Sequence, residues 1–252
     1  MISALHLLFI FIIGLVFGSF FNVIGFRAPL KQSIVRPRSR CPYCHDQLTA
    51  IELIPVISFF VQRGKCRHCK RRISFLYPMI ELLTGFLFAA AFFLIGWEFE
   101  LVVVWTFMSL LLIVFVTDVT YMVIPNKILL TFAAIFLVER FIIPLNPWWD
   151  SLLGGVIALL IPLFIAMISK GGMGGGDIKL FALLGFALGT QTVLLSLFLA
   201  TFYGALFGGI GLLLGIVQKG KPLPFAPFIG IGTLTAYFYG EKILNSYLQL
   251  LK

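Results

Sequence analysis

The sequence predicts an all-α polytopic membrane protein of about eight transmembrane helices, with one long loop between the first and the second. Three observations predict it. Of 252 residues, 60% are hydrophobic and 12% charged, against ~45–50% and ~25% in soluble domains. The apolar residues, 28 Phe among them, fall into runs separated by short polar links. The basic residues are gathered beside one run, as the positive-inside rule describes. A soluble globule, a disordered chain and a disulfide scaffold are all excluded by this composition.

The first run is Leu5–Phe26. It has no Lys or Arg ahead of it and no small-residue cleavage site behind it, so a retained span is expected rather than a signal peptide. Next comes a loop in which eleven Lys and Arg, from Arg27 to Arg72, face only Asp46 and Glu52; its charge of +9 equals that of the whole chain. Such a charge could serve nucleic acid, but beside a span it reads as a cytosolic loop. Further runs follow at Tyr77–Gly96, Leu101–Thr117, Ile128–Ile143, Leu152–Ser169, Ile178–Gly189, Thr192–Val217 and Phe228–Leu251. A crossing takes about 20 helical residues, so Ile178–Gly189 must be a partial span or a helix shielded by its neighbours. With eight crossings, the links holding Glu98, Glu100 and Asp150 face out, and those holding Lys127, Lys170, Lys219 and Lys221 face in. Both termini then lie outside. The pairs Gly204/Gly208 and Gly211/Gly215 have the spacing of close helix packing.

The basic loop holds all four cysteines, as Cys41-Pro-Tyr-Cys44 and Cys66-Arg-His-Cys69. Two Cys-x-x-Cys pairs 21 residues apart suit a structural zinc ion with four cysteine ligands, each pair presenting two thiolates to one tetrahedral metal. The neighbouring Lys and Arg favour thiolates. Disulfides are the alternative, and a cytosolic loop disfavours them. The full cysteine set leaves His45 and His68 no position on the ion.

Two aspartates stand at predicted membrane boundaries on one side. Asp118 closes the third run, ahead of Ile124-Pro125-Asn126; Asp177 follows the glycine run 171–176, interrupted only by Met173, and opens the short one. Acidic residues beside spans are costly and need a reason. Two carboxyls converging in a dry site would share a proton, the arrangement of aspartic proteases. One would take a proton from water and the other donate to the scissile carbonyl. Glycines let a substrate strand approach the backbone. Alternatively, Asp177 caps a helix and Asp118 sits among headgroups. A phosphate-binding loop would need Gly-Lys-Ser/Thr after the glycines, and none follows.

Over nearly its whole length the chain resembles the type IV prepilin peptidase family of bacterial membranes. The motifs that carry the resemblance are Gly174-Gly175-Gly176-Asp177 with Ile178-Lys179, matching the Gly-x-Gly-Asp signature, and Asp118 with its following turn. Others are Gly18-Ser19-Phe20-Phe21-Asn22-Val23, Arg63-Gly64-Lys65-Cys66, and Ile73-Ser74-Phe75-Leu76-Tyr77-Pro78 with Glu81. Ile24-Gly25-Phe26-Arg27-Ala28-Pro29 departs from the usual run with a bulky aromatic. The short loops are most similar to competence-pilus processing enzymes of Gram-positive bacteria.

The resemblance implies a peptidase of the plasma (inner) membrane whose zinc loop and active site face the cytosol. Its substrates would be prepilins or pseudopilins, cut after the Gly that ends a short basic leader. It implies N-methylation of the new terminus, usually Phe, from S-adenosylmethionine. Asp118 and Asp177 would be catalytic, with Gly174, Gly175, Gly176 and Lys179 in the active-site loop. Gly64, Asn22, Glu52 and Glu81 are the methyl-transfer candidates. Glu52 and Glu81 are also expected to meet the basic leader, while the basic face meets lipid headgroups. No nucleic-acid partner is expected. The implied organisation is a first span at 1–26, a zinc loop with methyl-transfer elements at 27–76, and a peptidase core at 77–252.

Two other readings stand beside this one. The chain could be a peptidase that has lost methyl transfer. It could also be a zinc-loop scaffold or transporter without catalysis; a transporter should show paired broken helices in two repeats, and the sequence has one glycine break and no repeat.

Overall fold

The computed structural model describes residues 3–169, 172–215 and 223–250. Lys170, Gly171, Lys219 and Lys221, expected in inward links, and the predicted run ends Val217 and Leu251 lie outside the described residues. Among the described residues there are helices and no strand beyond two isolated bridges. Each predicted run becomes a helix: α1 (Ala4–Arg27), α3 (Leu76–Ile95), α4 (Glu100–Tyr121), α5 (Asn126–Ile142), α6 (Asp150–Ile168), α7 (Gly175–Leu188), α8 (Thr190–Leu213) and α9 (Ala226–Leu250). The long loop adds a 3-10 turn, Ile51–Leu53, and the five-residue α2, Ile57–Val61. Among the described residues five helices, α1, α3, α4, α6 and α8, are long and apolar enough to cross a membrane. Helices α5 and α7 are shorter, at 17 and 14 residues, and the 25-residue α9 carries Glu241 and Lys242.

The chain forms two compact units, Met1–Thr120 and Tyr121–Lys252. In the first, α1 and α3 lie antiparallel, although 48 residues separate them. The pairs Gly14/Gly85, Gly18/Glu81 and Asn22/Tyr77 run in opposite order along the two helices. A Cβ on Gly18 would sit 2.7 Å from the Glu81 Cα, so only glycine admits this approach. On α4, Trp105 donates its indole N–H to the Phe88 carbonyl at 3.2 Å and stacks on the Phe88 ring.

In the second unit α6 and α7 are antiparallel, meeting where a Cβ on Gly154 would reach the Gly185 carbonyl at 2.5 Å. Helices α8 and α9 join through a buried Ser196–Thr233 hydroxyl pair at 2.6 Å, beside Gly232. Close approach is thus seen at glycines other than Gly204 and Gly208, the first pair expected from spacing. Gly208 and Gly215 face open space, and Gly204 meets only the Phe225 and Phe228 rings.

The short helix α7 is shielded by its neighbours, α5, α6 and α8, and eight of its 14 residues are buried. It runs parallel to α5 and is tied to it at both ends. Lys179 Nζ donates to Asn126 Oδ1 at 3.0 Å near the two N-termini. At the other end, buried Arg140 of α5 donates Nε–H to the Ala187 carbonyl at 2.6 Å and Nη1–H to the Ile143 carbonyl at 3.2 Å. Beyond that end, Asp150 accepts from the Thr190 hydroxyl at 2.6 Å and its amide at 3.1 Å. An acceptor at this position satisfies an amide that a helix start leaves open.

Candidate active and metal sites

The metal site is the most complete. Each Cys-x-x-Cys forms a tight knuckle, and the two are built alike. The Cys41 amide donates to the Asp46 carbonyl, and the His45 amide to the Cys41 carbonyl. One knuckle on, Cys66 donates to Arg71, and Lys70 to Cys66. The residue after the second cysteine is left-handed in both, His45 at φ 60° and Lys70 at φ 58°. The four Sγ atoms lie within 4.8 Å of one another, with Cys41–Cys69 at 3.8 Å and Cys44–Cys66 at 3.9 Å. Disulfide sulfurs would sit at about 2.05 Å. Zinc–thiolate bonds of about 2.3 Å give tetrahedral edges of about 3.8 Å, so the four cysteines fit zinc. His45 and His68 stay outside the set; His68 Nδ1 is 3.6 Å from Asp46 Oδ2. Burial raises the Cys41 thiol, but the backbone N–H groups of Cys44 and Tyr43 outweigh it and bring it down to about 7; Cys44, whose backbone bond to Asp46 is outweighed by burial and by the other thiols, is pushed up to about 12, so the metal-free cluster settles charge on one thiol of this pair.

Of the residues expected to carry methyl transfer, two sit together between α1 and α3. Glu81 is buried; its Oε2 accepts the Val56 amide at 2.7 Å, and the Ser19 side chain hydrogen-bonds to it. Asn22, 1% exposed, donates to the Tyr77 carbonyl at 3.0 Å. Its Oδ1 is buried with no partner, a costly state for an amide oxygen. Val56 stands at φ 63°, ψ −53°, a conformation that costs a β-branched residue of order 1–3 kcal/mol. Gly64 takes φ +66° under the Phe59 ring.

Glu52 differs from the expectation. It is buried in its own turn, its Oε2 accepting the Thr49 amide at 2.9 Å and hydroxyl at 2.8 Å. The Thr49 amide, with its hydroxyl, holds the carboxyl below its usual range. Both Glu52 and Glu81 are buried, each with Oε2 held by the loop's own backbone, while Glu52 Oε1 has no hydrogen-bond partner among the described residues.

The two aspartates occupy distinct settings. Asp118 lies inside α4 rather than in the link after it, three residues before the helix ends, and is buried at 7% exposure. Asp177 is the third residue of α7, which starts at Gly175 and not at Ile178. Its carboxylate folds back toward Gly174, whose Cβ would lie 2.8 Å from Oδ2. A carboxylate here is favoured by the helix dipole. A Cβ on Gly176 would lie 2.9 Å from the Ile124 Cβ. With the Lys179–Asn126 bond, this brings the glycine motif and the Ile124-Pro125-Asn126 turn together within the second unit. Lys179 thus braces α7, and Gly174 and Gly175 are exposed.

Sequence reasoning missed Ser19, Val56, Glu139 and Arg140. The last two had a signal: adjacent charged residues in an apolar run, both buried in the structure. Val56 had none, because a positive φ at valine leaves no trace in composition.

A membrane chain with a four-cysteine loop and aspartates at two helix ends defines a class of membrane-embedded enzymes, and comparison with known proteins narrows it. The bacterial peptidase A24 N-terminal domain matches residues 12–95, and the type IV leader peptidase family matches 105–209. The chain belongs to the type IV leader peptidase family. It is 47% identical to a prepilin leader peptidase/N-methyltransferase of Bacillus subtilis, over 96% of this chain and 97% of that one. It is 33% identical to a protein of the same description from Stutzerimonas stutzeri, over 94% and 92%. The Pseudomonas aeruginosa relative is 31% identical, over 94% and 92%. No solved structure matches the chain.

Proposed function

We propose that this protein is a prepilin leader peptidase and N-methyltransferase of a bacterial plasma membrane. The observation that carries the reading is the 47% identity to the Bacillus subtilis relative over almost the full length of both chains. That relative also fits a Gram-positive competence pilus. The substrates are prepilins or pseudopilins, cut after the Gly that ends a basic leader. In this reading the chain crosses the membrane eight times, with zinc loop and catalytic residues on the cytosolic side and both termini outside. Residues 77–252 carry peptidase chemistry, and 27–76 with the first span carry methyl transfer.

Asp118 and Asp177 are the catalytic pair. One carboxylate draws a proton from water, and the other, protonated, donates to the scissile carbonyl as the water oxygen adds. Burial of Asp118 and the exposed glycines before Asp177 support these roles. Gly174, Gly175 and Gly176 leave room for an extended substrate strand, and Lys179 holds the loop against α5. The zinc ion, held by Cys41, Cys44, Cys66 and Cys69, orders a loop with little core of its own.

S-adenosylmethionine supplies the methyl group. The unpartnered Asn22 Oδ1 and the Glu81 carboxylate are acceptors suited to a cationic group. Gly64 shapes the adjoining loop, and Glu52 holds its turn.

Co-expression with a prepilin, then mass spectrometry of the pilin N-terminus, tests the reading. Wild type removes the leader and adds one methyl; Asp118→Asn and Asp177→Asn each abolish cleavage. An uncut leader with folded wild-type protein and several prepilins would overturn it, and cleavage without the methyl would remove the transferase half.

A further inference from the structure

The segment from Ile51 to Val61 is a strap held against the first turns of α3. It has two faces. Inward, the Val56 amide reaches Glu81, Glu52 closes its own turn, and Phe59 covers Gly64 and meets Phe75 edge-on. Outward, Ile51, Ile54, Ile57 and Phe60, at three-residue spacing, are exposed together with Leu53 and Val61, with Ile51 71%, Phe60 61% and Val61 74% exposed. A soluble domain rarely leaves such a group bare.

The depth of the strap indicates what covers it. Glu81, which binds Val56, is five residues inside α3, about 7.5 Å along its axis from Leu76. On α1, Ser19 of the same cluster lies eight residues before Arg27, about 12 Å along that helix. Both helices are long and apolar enough to span. The strap is therefore hung beside the ends of two spans, not out in solvent. Non-helical backbone is tolerated there when protein groups satisfy it, as Glu81 does for Val56. The rest of the loop supplies complementary charge: Lys31, Arg36, Arg38, Arg40, Arg63 and Lys65, among others, are exposed.

We infer that the strap 51–61 is a membrane-interface anchor, its exposed Ile51, Ile54, Ile57, Phe60 and Val61 seated among the lipids of the leaflet whose anionic headgroups the loop's basic residues contact. Apolar side chains at the headgroup–acyl boundary with Lys and Arg beside them are the pattern of an interfacial segment. The anchor fixes the height of Val56 and Glu81 relative to the bilayer, and with them the polar cluster between α1 and α3.

The test is a depth measurement on the full chain in vesicles of phosphatidylcholine and phosphatidylglycerol. A nitroxide is attached through Phe60→p-acetylphenylalanine, which spares the cysteines, and its access to oxygen and to a water-soluble nickel complex is compared. The same label replaces Phe86, exposed on the apolar span α3, and Tyr43, exposed on the first knuckle. Position 60 is expected to read about 5–10 Å below the phosphates, sheltered from nickel like position 86 and unlike position 43. A lipid reading at 86 certifies that the chain is inserted. With that in hand, nickel access at 60 equal to that at 43 would overturn the anchor. So would shelter that appears only on adding a prepilin-derived apolar helix, which would make the strap a substrate-docking face.

Discussion

Replacing Arg140 with methionine should loosen α7 without touching either aspartate. The guanidinium is 6% exposed, and its hydrogen bonds include one to the carbonyl of Ala187 near the C-terminus of α7 and one to the carbonyl of Ile143. Methionine fills similar length but donates nothing. Leaving the Ala187 carbonyl buried and unmet costs about 1–3 kcal/mol, and removing a cation from a helix C-terminus costs about 0.3–1 kcal/mol more. The expected loss is about 1.3–4 kcal/mol in all. At about 2–4 °C per kcal/mol for a chain of this size, the melting temperature falls by roughly 3–16 °C. Tryptophan fluorescence during heating of the purified protein in detergent reads this directly, with leader cleavage as the second readout. Arg140→Lys keeps the charge but not the fork that makes two bonds, and should fall between wild type and Arg140→Met. A methionine variant that melts within about 2 °C of wild type would refute the claim that Arg140 holds α7 in place.

Three further outcomes follow from the same geometry. Cys41→Ser or Cys66→Ser should release zinc, measured by elemental analysis, and open the 27–75 loop to protease while the spans stay folded. Gly185→Leu should unfold the second unit or drop its melting temperature more than any exposed substitution on α7, because its side chain would enter the Gly154 backbone. Glu52→Gln should cost stability most near neutral pH. The Thr49 bonds hold the folded Glu52 carboxyl below its unfolded value, so its contribution is present above about pH 4.3 and disappears as pH falls through the lower folded value. The melting difference between wild type and variant should close on acidification; a constant difference would assign it to packing.

The helices were legible because a bilayer demands long apolar runs, and each run from Leu5–Phe26 to Phe228–Leu251 became a helix. The zinc site was legible because spacing alone limits what two Cys-x-x-Cys pairs can do. What stayed hidden depends on three dimensions. That Gly18 rather than Gly208 carries a close helix approach follows from which face meets a partner, and both read alike as small residues in apolar runs. Glu52 and Glu81 looked like acids free to meet a basic leader, and their burial comes from amides of Thr49 and Val56 that no side-chain pattern announces. The end of the third run was placed one turn too early, at Thr117, because hydropathy falls at the aspartate, whereas the helix continues to Tyr121.

The fastening of α7 to α5 at both ends sets a rule for how this chain can vary. Between Gly176, against Ile124, and Ala187, against Arg140, lie eleven helical steps, about 16 Å of axis. One inserted residue would turn everything on one side of it by about 100° and push it about 1.5 Å. Either Lys179 would swing away from Asn126, or Ala187 would leave Arg140. Insertions and deletions are therefore expected to accumulate in links such as 144–149, while the segment from Gly174 to Gly189 keeps its length across relatives. A ruler of fixed length, cut by its neighbour, is what allows so short a helix to hold an aspartate in place.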